Sequence, residues 1–323
     1  MADVSAATVL VTGGTSGIGR ETVRRLAEDG ATVLVHGRDG ARGEAVCEWV
    51  RAETPGDAQF LRADLADFDD VRSLAANVRA VLDEGADYDG LDVLVNNAGT
   101  WQPERRLVDA TGERTDGTRA GVEFTVAVNH CAHVLLTAEL WPLLRSATDA
   151  GSGEKGVPPA GRVVTVASGV HGQATFDIDA LTDETGPSGQ AAYAHSKLAN
   201  VLFASELAHR AQGTGVTSNS CHPGVVPSTA LARDSGGLSR SIWKAFGVVG
   251  GLLPFGPVDT ERDAAETQYY LATAPEVADV TGEYFVDCEP KRPSTAARSR
   301  ENQQRLWEWT ADVVGVSPTF PSD

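Results

Sequence analysis

Short apolar runs alternate with longer segments of mixed polarity through the first two thirds of the chain. Runs of valine and leucine with few polar interruptions are typical of strands that are buried on both faces of a parallel sheet. The pattern predicts strands at residues 8–11, 32–35, 59–61, 91–95, 163–166 and 216–220. The segments between them are long enough for crossover helices, so we predict an α/β fold with a doubly wound parallel sheet.

Helical periodicity marks the later part of the chain. Four side chains share one face of a helix that is expected to begin near Ala192 and to end at Gly213: Leu198, Val201, Leu202 and Ser205. A last helix is predicted at 298–315. No internal repeat or linker divides the sequence, so residues 1–323 are predicted to form a single domain.

The segment 230–258 departs from this rhythm, because a stretch rich in serine and glycine precedes an apolar patch. We interpret it as a lid or pocket wall on the substrate side. A pair of core helices, or a contact between two copies of the chain, is the alternative interpretation, since apolar patches are more often packed than functional. The sequence therefore leaves open whether two copies of the chain associate. The stretch 151–161 is rich in glycine and proline and is predicted to be a surface loop.

Charge and cysteine usage exclude several classes of protein. The chain has 45 acidic against 27 basic residues and a formal net charge of −18, which opposes docking onto nucleic acid or an anionic bilayer. The four cysteines form no CxxC pair or Cys/His cluster, so we expect reduced thiols. The start of the chain lacks the pattern of a signal peptide, and there is no apolar run of about 18 residues. We expect a cytoplasmic protein without a membrane span.

A glycine-rich turn, Thr12–Gly19, follows the first predicted strand and precedes a predicted helix at 20–29. Glycines allow a tight turn and let the backbone approach a pyrophosphate, which the N–H groups at a helix N-terminus favour. Such a turn alone is a weak signal, and its place between strand and helix gives it weight. Arg20 and Glu21 stand where a P-loop requires Lys followed by Ser or Thr. The turn therefore predicts a dinucleotide site.

The end of the second strand bears on the choice of cofactor. NAD enzymes usually place an acidic residue here for the ribose 2′-hydroxyl, whereas NADP enzymes place Arg for the 2′-phosphate. This chain has His36-Gly37-Arg38-Asp39. Gly37 leaves room for the phosphate and Arg38 can bind it through two charge-assisted hydrogen bonds, while Asp39 is expected to point into the following turn. We predict NADP(H); NAD(H), with Arg38 as a solvated surface residue, is the alternative.

Tyr193 and Lys197 occupy positions i and i+4 of a predicted helix, so they share one face. A free phenol titrates near pH 10, and an adjacent cation favours its phenolate form. Tyr193 is thus a candidate general acid/base with Lys197 as its activator. The pair alone also occurs by chance on helix surfaces, so its meaning depends on the other motifs.

Taken together, these motifs give a sequence that resembles the short-chain dehydrogenase/reductase family. The motifs, in family order, are Thr12-Gly13-x-x-x-Gly17-x-Gly19, Asp64-Leu65, Asn96-Asn97-Ala98-Gly99, Asn129, Ser168, Tyr193-x-x-x-Lys197 and Pro223-Gly224. Four segments are similar to its retinol dehydrogenase and WW-domain oxidoreductase branch: 128–130, 193–200, 222–226 and 282–288. The resemblance implies a single Rossmann-fold domain.

The resemblance also implies roles for individual residues. Ser168 would hydrogen-bond the substrate oxygen, Tyr193 would exchange its proton, and Lys197 would bind the nicotinamide ribose while lowering the pKa of the phenol. Asn129 would hold a water in the proton relay. A hydroxyl and a phenol aimed at one developing alkoxide form an oxyanion-stabilising pair, which agrees with these roles.

For the cofactor, the resemblance implies that Asp64 and Leu65 bracket the adenine, that residues 97–99 line the cleft, and that the segment from Pro223 meets the nicotinamide amide. The residues expected to contact the cofactor are Gly13, Thr15, Ser16, Gly17, Ile18, Gly19, Arg38, Asp64, Leu65, Asn97, Ala98, Gly99, Tyr193, Lys197, Pro223, Gly224, Val226 and Thr229. Ser228 occupies the spacing at which the family has a threonine, so either Ser228 or Thr229 is in position to contact the nicotinamide.

Two further departures from the family pattern concern the site. Ala167-Ser168 stands where the family often has two serines, and the segment 101–120 is longer and more charged than usual. Neither removes a catalytic group. Six histidines lack the spacing of metal ligands, so we expect packing or surface roles for them and no metal: His130, His133, His171, His195, His209 and His222. His171, close to Ser168 in sequence, is a candidate for the wall of the substrate pocket.

These observations predict an NADP(H)-dependent oxidoreductase that acts on a small-molecule carbonyl or alcohol. The apolar segment 230–258 favours a hydrophobic substrate, and the branch resemblance implies retinoid-like or steroid-like molecules. A dinucleotide-sensing or protein-interaction module is the first alternative, although Ser168, Tyr193 and Lys197 are all retained. An epimerase or dehydratase is the second, and it would need different glycine spacing and a longer substrate domain.

Overall fold

The architecture rests on one large, mostly parallel sheet. The computed structural model describes residues 4–84, 90–109, 121–150, 161–182, 188–224 and 260–321. Within these ranges the strands are β1 Thr8–Val11, β2 Thr32–Gly37, β3 Asp57–Arg62, β4 Val93–Asn96, β5 Leu107–Asp109, β6 Gly121–Glu123, β7 Arg162–Val166, β8 Thr217–His222, β9 Tyr284–Val286 and β10 Glu289–Pro290. The order across the eight-stranded sheet of the described residues is β10-β9-β8-β7-β4-β1-β2-β3, and β5 and β6 form a separate antiparallel pair.

The strand order places a switch point beside β1. The chain runs outward from β1 through β2 to β3 and then returns to β4 on the other side of β1, with every one of these pairs parallel. Only β10 is antiparallel within the large sheet, as far as the described residues show. In open α/β sheets, ligands bind at the carboxyl ends of the strands that flank such a switch point. The ends of β1 and β4 therefore mark the position of the site.

Helices cover both faces of the sheet. Among the described residues they are α1 Gly17–Glu28, α2 Gly40–Glu53, α3 Phe68–Glu84, α4 Phe124–Val126, α5 Ala132–Ala150, α6 Gly189–Arg210, α7 Glu261–Thr273 and α8 Arg300–Val314. A π-helical segment, Ala127–Cys131, joins α4 to α5. Across the part of the chain that is described, no helix has both the length and the apolar character needed to cross a membrane.

Two hydrophobic clusters form the core, one on each face of the sheet. Successive residues of a strand point to opposite faces, so Leu10 of β1 belongs to the first cluster while its neighbours Val9 and Val11 belong to the second. Side chains of α3, α5, α6 and α8 complete the first cluster, and those of α1, α2 and α7 complete the second. The doubly wound α/β fold predicted from the valine runs is confirmed.

The predicted elements and the observed ones differ mainly at their ends. Each of the predicted strands is present, and α6 begins before the predicted Ala192. The last helix, α8, begins after Ser299, whose side chain accepts from the Asn302 N–H, and ends at Gly315, with φ of 70°. The segment 230–258 and most of the loop 151–161 lie outside the described residues, so the lid remains a prediction.

Candidate active site

The glycine-rich turn packs against the end of β4. Gly13 and Gly17 adopt left-handed backbone conformations, with φ of 68° and 56°, which glycine adopts without strain. A Cβ atom at Gly19 would collide with the carbonyl oxygen of Gly13 and with the side chain of Asn97. Side chains at these positions are therefore excluded, and the backbone N–H groups at the start of α1 stay accessible to an anion. The residues fit a pyrophosphate.

The hydroxyl of Thr12 connects this turn to β4. Its oxygen accepts hydrogen bonds from the N–H groups of Asn97 and Ala98, both over 2.9 Å, and it lies 3.0 Å from His133 Nε2. His133 Nδ1 lies 3.0 Å from the carbonyl oxygen of Asn129, to which it donates. Nε2 then lacks a proton, so the Thr12 hydroxyl donates to it. Burial lowers the pKa of His133 to about 3, which keeps the ring neutral.

A second neutral histidine supports the turn from the other side. The N–H of Gly13 donates to His36 Nδ1 over 3.3 Å, and His36 Nε2 donates to the carbonyl oxygen of Ala63 over 3.2 Å. Burial lowers the pKa of His36 to about 4. The ring therefore holds the turn to the ends of β2 and β3 without introducing a positive charge.

The residues after β2 are arranged as the cofactor prediction requires. A side chain at Gly37 would collide with Thr15, so glycine keeps this corner open. Arg38 is exposed and forms no hydrogen bond or ion pair with any residue that the structure describes. Asp39 is the N-cap of α2: its carboxylate accepts from the Arg42 N–H over 3.2 Å and pairs with the Arg42 guanidinium over 3.2 Å. Asp39 is thus engaged away from Arg38, as expected.

One cleft joins the turn, the ends of β2 to β4 and the start of α6. The expected cofactor contacts that line it are Gly13, Thr15, Ser16, Gly17, Ile18, Gly19, Arg38, Asp64, Leu65, Asn97, Ala98, Gly99, Tyr193, Lys197 and Pro223. Gly224, with φ of 86°, is the last described residue of its segment. Val226, Ser228 and Thr229 lie outside the described residues, so their contacts remain predictions.

Tyr193 and Lys197 lie on α6 and reach the deep end of this cleft. Tyr193 is partly buried and hydrogen-bonded to the side chain of Ser168, which follows β7. Removal from water raises the pKa of Tyr193 to about 12, although the bond from Ser168 opposes this rise. The Lys197 ammonium lies 5.7 Å from the centroid of the Tyr193 ring. The structure thus brings together Ser168, Tyr193 and Lys197, three of the four candidate catalytic residues.

Lys197 is almost completely buried. Burial lowers its pKa to about 8, and the neighbouring Cys221 thiol opposes this shift. The ammonium donates to the main-chain carbonyl oxygen of Val166 over 2.9 Å. The pKa of the Tyr193 phenol is set in this structure by burial, which raises it, and by the bond from Ser168, which lowers it; the lowering by Lys197 stays a prediction.

Asn129 lies in the π-helical segment, next to the catalytic cluster, and its side-chain amide makes three hydrogen bonds. Its Oδ1 accepts from the N–H of Thr100 over 2.7 Å, while Nδ2 donates to the Thr100 carbonyl oxygen and to Ser196 Oγ, both over 3.0 Å. Ser196 in turn donates to the carbonyl oxygen of Tyr193 over 2.8 Å. The side chain thus holds the loop after β4 to the start of α6. The role of Asn129 in a proton relay stays a prediction.

Both ring nitrogens of His171 are engaged in hydrogen bonds within the protein. Its Nδ1 donates to the carbonyl oxygen of Ser168 over 2.8 Å, and Nε2 accepts from the N–H of Ser294 over 3.2 Å. The ring therefore holds Ser168 against the segment that precedes α8. Among the described residues no group of three or more His, Cys, Asp or Glu side chains forms a metal site.

Several residues of the site were not singled out by the sequence. Thr12, His36 and His133 support the cleft, and Thr100 and Phe124 line it. Thr12 belongs to the glycine-rich motif and His36 to the segment at the end of the second strand, but the sequence indicates no separate role for either residue. The roles of His133 and Phe124 depend on which strands meet in the fold.

The parallel sheet, the glycine-rich turn at its switch point and the Ser-Tyr-Lys cluster define a Rossmann-fold oxidoreductase of the dinucleotide-binding class. The family model described as short chain dehydrogenase matches residues 7–236, and the chain belongs to this family. Members act on CH–OH and C=O groups with nicotinamide dinucleotides.

Two curated relatives and one solved structure place the chain more closely. Retinol dehydrogenase 12 from Homo sapiens is 35% identical over 309 residues, covering 95% of this chain and 86% of its own length. Polyprenol dehydrogenase from Mus musculus is 40% identical over 310 residues, covering 95% and 83%. A crystal structure of an uncharacterised protein from Mycobacterium paratuberculosis superposes with a TM-score of 0.67 at 26% identity, covering 100% of this chain and 97% of its own. The chain is thus a member of the branch that resembles retinol dehydrogenases.

Proposed function

We propose that this protein is an NADP(H)-preferring oxidoreductase that interconverts an apolar carbonyl compound and its alcohol. The hydrogen bond between Tyr193 and Ser168 at the deep end of the glycine-lined cleft carries this proposal. Bound NADP(H) supplies or accepts the hydride. The protein supplies the site for the substrate oxygen and the path for its proton.

In carbonyl reduction, the hydroxyl groups of Ser168 and Tyr193 both donate to the substrate oxygen. Tyr193 transfers its proton to that oxygen as negative charge develops there, and Ser168 keeps its own proton and stabilises the charge. A raised pKa for the Tyr193 phenol keeps it protonated and ready for this step at neutral pH. Alcohol oxidation runs in the opposite sense, with the Tyr193 phenolate as the base, which the buried Lys197 ammonium favours.

The corner around Gly37 supports the preference for NADP(H). A 2′-phosphate needs space and a cation, and this corner offers an open glycine and the exposed Arg38. Asp39, the carboxylate next to Arg38 in the chain, is held by Arg42 as the cap of α2. NAD(H) lacks the phosphate and would gain nothing from Arg38.

Apolar side chains beside the cleft support a hydrophobic substrate. Phe124 and Val128 line it on the side of the π-helical segment. The relatives named above are named for retinol and polyprenol, which are apolar alcohols. We therefore propose that the substrate is an apolar alcohol, or the aldehyde or ketone derived from it.

The proposal is tested by measuring the oxidation of NADPH and of NADH in parallel with a panel of apolar and polar aldehydes and ketones. We expect turnover of apolar carbonyls with NADPH, a lower kcat/KM with NADH, and little turnover of polar carbonyls. Tight NADPH binding without turnover of any carbonyl would contradict the proposal and favour a dinucleotide-sensing module. Equal kcat/KM values for the two cofactors would contradict the preference for NADP(H).

A further inference from the structure

A chain of buried polar groups runs from the last helix to the Lys197 ammonium. It consists of Thr310 on α8, His130 in the π-helical segment, Asn200 on α6 and the main-chain carbonyl of Val166 at the end of β7. Each of the three side chains is 1% exposed. Buried polar groups must find their partners within the protein, so this chain is a fixed part of the structure behind the site.

The Val166 carbonyl oxygen has two donors. The Lys197 ammonium donates to it over 2.9 Å, and Asn200 Nδ2 donates to it over 3.1 Å. A carbonyl oxygen has two lone pairs, so both are in use. The N–H of the same peptide unit, which belongs to Ala167, donates to the carbonyl oxygen of Cys221 over 2.8 Å. This peptide unit directly precedes Ser168 and is held on both sides.

The orientation of Asn200 depends on His130. The two side chains lie within hydrogen-bonding reach of each other. Asn200 Oδ1 and His130 Nδ1 are both buried, and neither atom forms a hydrogen bond of standard geometry with any described residue. Burial lowers the pKa of His130 to about 3, so the ring carries a single proton. A proton on Nδ1 satisfies both atoms, because Nδ1 then donates to Oδ1.

The same tautomer accounts for the outer end of the chain. With its proton on Nδ1, His130 Nε2 is an acceptor, and it lies 2.9 Å from Thr310 Oγ1. The single proton of the Thr310 hydroxyl then lies within reach of two acceptors, His130 Nε2 at 2.9 Å and the carbonyl oxygen of Leu306 at 2.8 Å. When the Thr310 proton points to His130, the donors run in one direction, from Thr310 through His130 and Asn200 to the Val166 carbonyl.

We propose that Asn200 and His130 are positioning residues for Lys197. They hold the Val166 carbonyl at the point where it fixes the Lys197 ammonium in the cleft, and they thereby set the affinity for the cofactor ribose. Neither residue touches the reacting atoms. This inference rests on the proposed function, in which Lys197 binds the cofactor and favours the Tyr193 phenolate.

The test uses Asn200→Leu, which keeps the size of the side chain and removes its amide, and His130→Phe, which keeps a ring and removes its hydrogen bonds. Asn219→Leu is the matched control. Asn219 is also a buried asparagine, and it donates to a main-chain carbonyl, that of Val280, over 2.6 Å. These bonds lie in the contact between β8 and the segment that precedes β9, apart from the chain behind Lys197.

The first measurement is the Kd for NADPH. We expect Asn200→Leu to weaken binding about tenfold, the effect of losing roughly one hydrogen bond, and His130→Phe to weaken it less. The double variant should bind no more weakly than Asn200→Leu, since both changes act through one carbonyl. Asn219→Leu should bind as the unchanged protein does. Equal affinity in Asn200→Leu, or independent losses that add in the double variant, would overturn the proposal.

The second measurement needs no cofactor. The chain has four lysines, Lys155, Lys197, Lys244 and Lys291, so carbon-13 labelling at lysine Cε gives few NMR signals, and Lys197→Arg identifies the signal of Lys197. We expect this signal to shift in Asn200→Leu and in His130→Phe, with a lower pKa for the ammonium as the carbonyl loses its fixed position. The exposed Lys291 is an internal reference.

These outcomes separate the two proposals. If the unchanged protein turns over no carbonyl, the proposed function fails, while the Lys197 signal still reports on the positioning. If the unchanged protein is active and the Lys197 signal is the same in both variants, the positioning role is wrong. A lower melting temperature in all three variants, with an unchanged Lys197 signal, would show a purely structural role. His130→Phe decides the question if Asn200→Leu does not fold.

Discussion

The imidazole of His36 accepts a hydrogen bond from the N–H of Gly13 over 3.3 Å. A protonated imidazole has no acceptor nitrogen, so this support of the glycine-rich turn requires the neutral ring. Burial lowers the pKa of His36 to about 4, from an ordinary value of 6.5. The folded protein therefore resists a protonation that the unfolded chain accepts.

This difference predicts acid destabilisation. Between about pH 6.5 and pH 4 the unfolded chain binds a proton at residue 36 that the folded protein does not, so the stabilising contribution is complete above that window and decreases as the pH falls. In His36→Gln, the slope of the free energy of unfolding against pH should decrease by up to about 1.4 kcal/mol per pH unit. Chemical denaturation at several pH values measures it.

His209→Gln is the control for this prediction, because His209 is exposed on α6. In His209→Gln the slope of the free energy of unfolding against pH should equal that of the unchanged protein. Part of the slope should persist in His36→Gln, since burial also lowers the pKa of His130 and of His133, to about 3 in each case. An unaltered slope in His36→Gln would show that His36 does not hold the turn as a neutral ring.

Removal of the Thr12 hydroxyl should loosen the same turn. In Thr12→Val the N–H of Ala98, 2.9 Å from the buried hydroxyl oxygen, loses its acceptor, while the N–H of Asn97 keeps the carbonyl oxygen of Val95 at 2.9 Å. We expect a loss of about 2 kcal/mol in the free energy of unfolding and weaker NADPH binding. Thr12→Ser keeps the hydroxyl and should retain most of the stability. Similar unfolding curves for the two variants would rule out this role of the hydroxyl.

Arg38 should decide between the two cofactors. Arg38→Asp removes a cation from the predicted position of the 2′-phosphate and adds a repulsive charge. We expect the Kd for NADPH to rise about thirtyfold, which corresponds to about 2 kcal/mol for a charge-assisted hydrogen bond, while the Kd for NADH changes little. Arg305→Ala, at an exposed position on α8, is the control. Equal losses for both cofactors in Arg38→Asp would contradict the assignment.

The phenol of Tyr193 should titrate well above the ordinary value for tyrosine. Burial raises its pKa to about 12, so the cofactor-free protein should keep this phenol protonated throughout the neutral range. The absorbance change on tyrosine ionisation, compared between the unchanged protein and Tyr193→Phe, isolates its titration. A difference between the two curves that is complete by pH 10 would show that the phenol is less withdrawn from water than the structure indicates.

Much of the fold could be predicted because its central strands are buried on both faces. The valine runs of β1, β4 and β7 carry that signal directly. The short strands β5, β6, β9 and β10 could not be found in this way, since they contain two or three residues and owe their pairing to their neighbours. The polar strand β8, Thr217–His222, was predicted without its last two residues; pairing with β7 and β9 extends it.

The candidate site likewise has features that could be predicted from the sequence and features that could not. The spacing of Tyr193 and Lys197 on one helix, and the position of Arg38 after a strand, are local features that the sequence displays. The bonds of His36 and His133 join residues that are far apart in the chain, so no local pattern reveals them. The sequence also predicted a lower pKa for Tyr193, whereas the depth of its burial, which raises the pKa, is known only from the fold.

The measurement that tests the central claim most directly is the transfer of deuterium from NADPH labelled at nicotinamide C4 to an apolar aldehyde or ketone. Nicotinamide C4 of NADPH carries two hydrogens, and the deuterium can replace either of them. Mass spectrometry should find one deuterium on the carbinol carbon of the product with one of these two labelled cofactors and none with the other. Tyr193→Phe should bind NADPH normally and transfer the label about a thousandfold more slowly. Label that stays on the cofactor, or transfer in Tyr193→Phe at the full rate, would contradict the account.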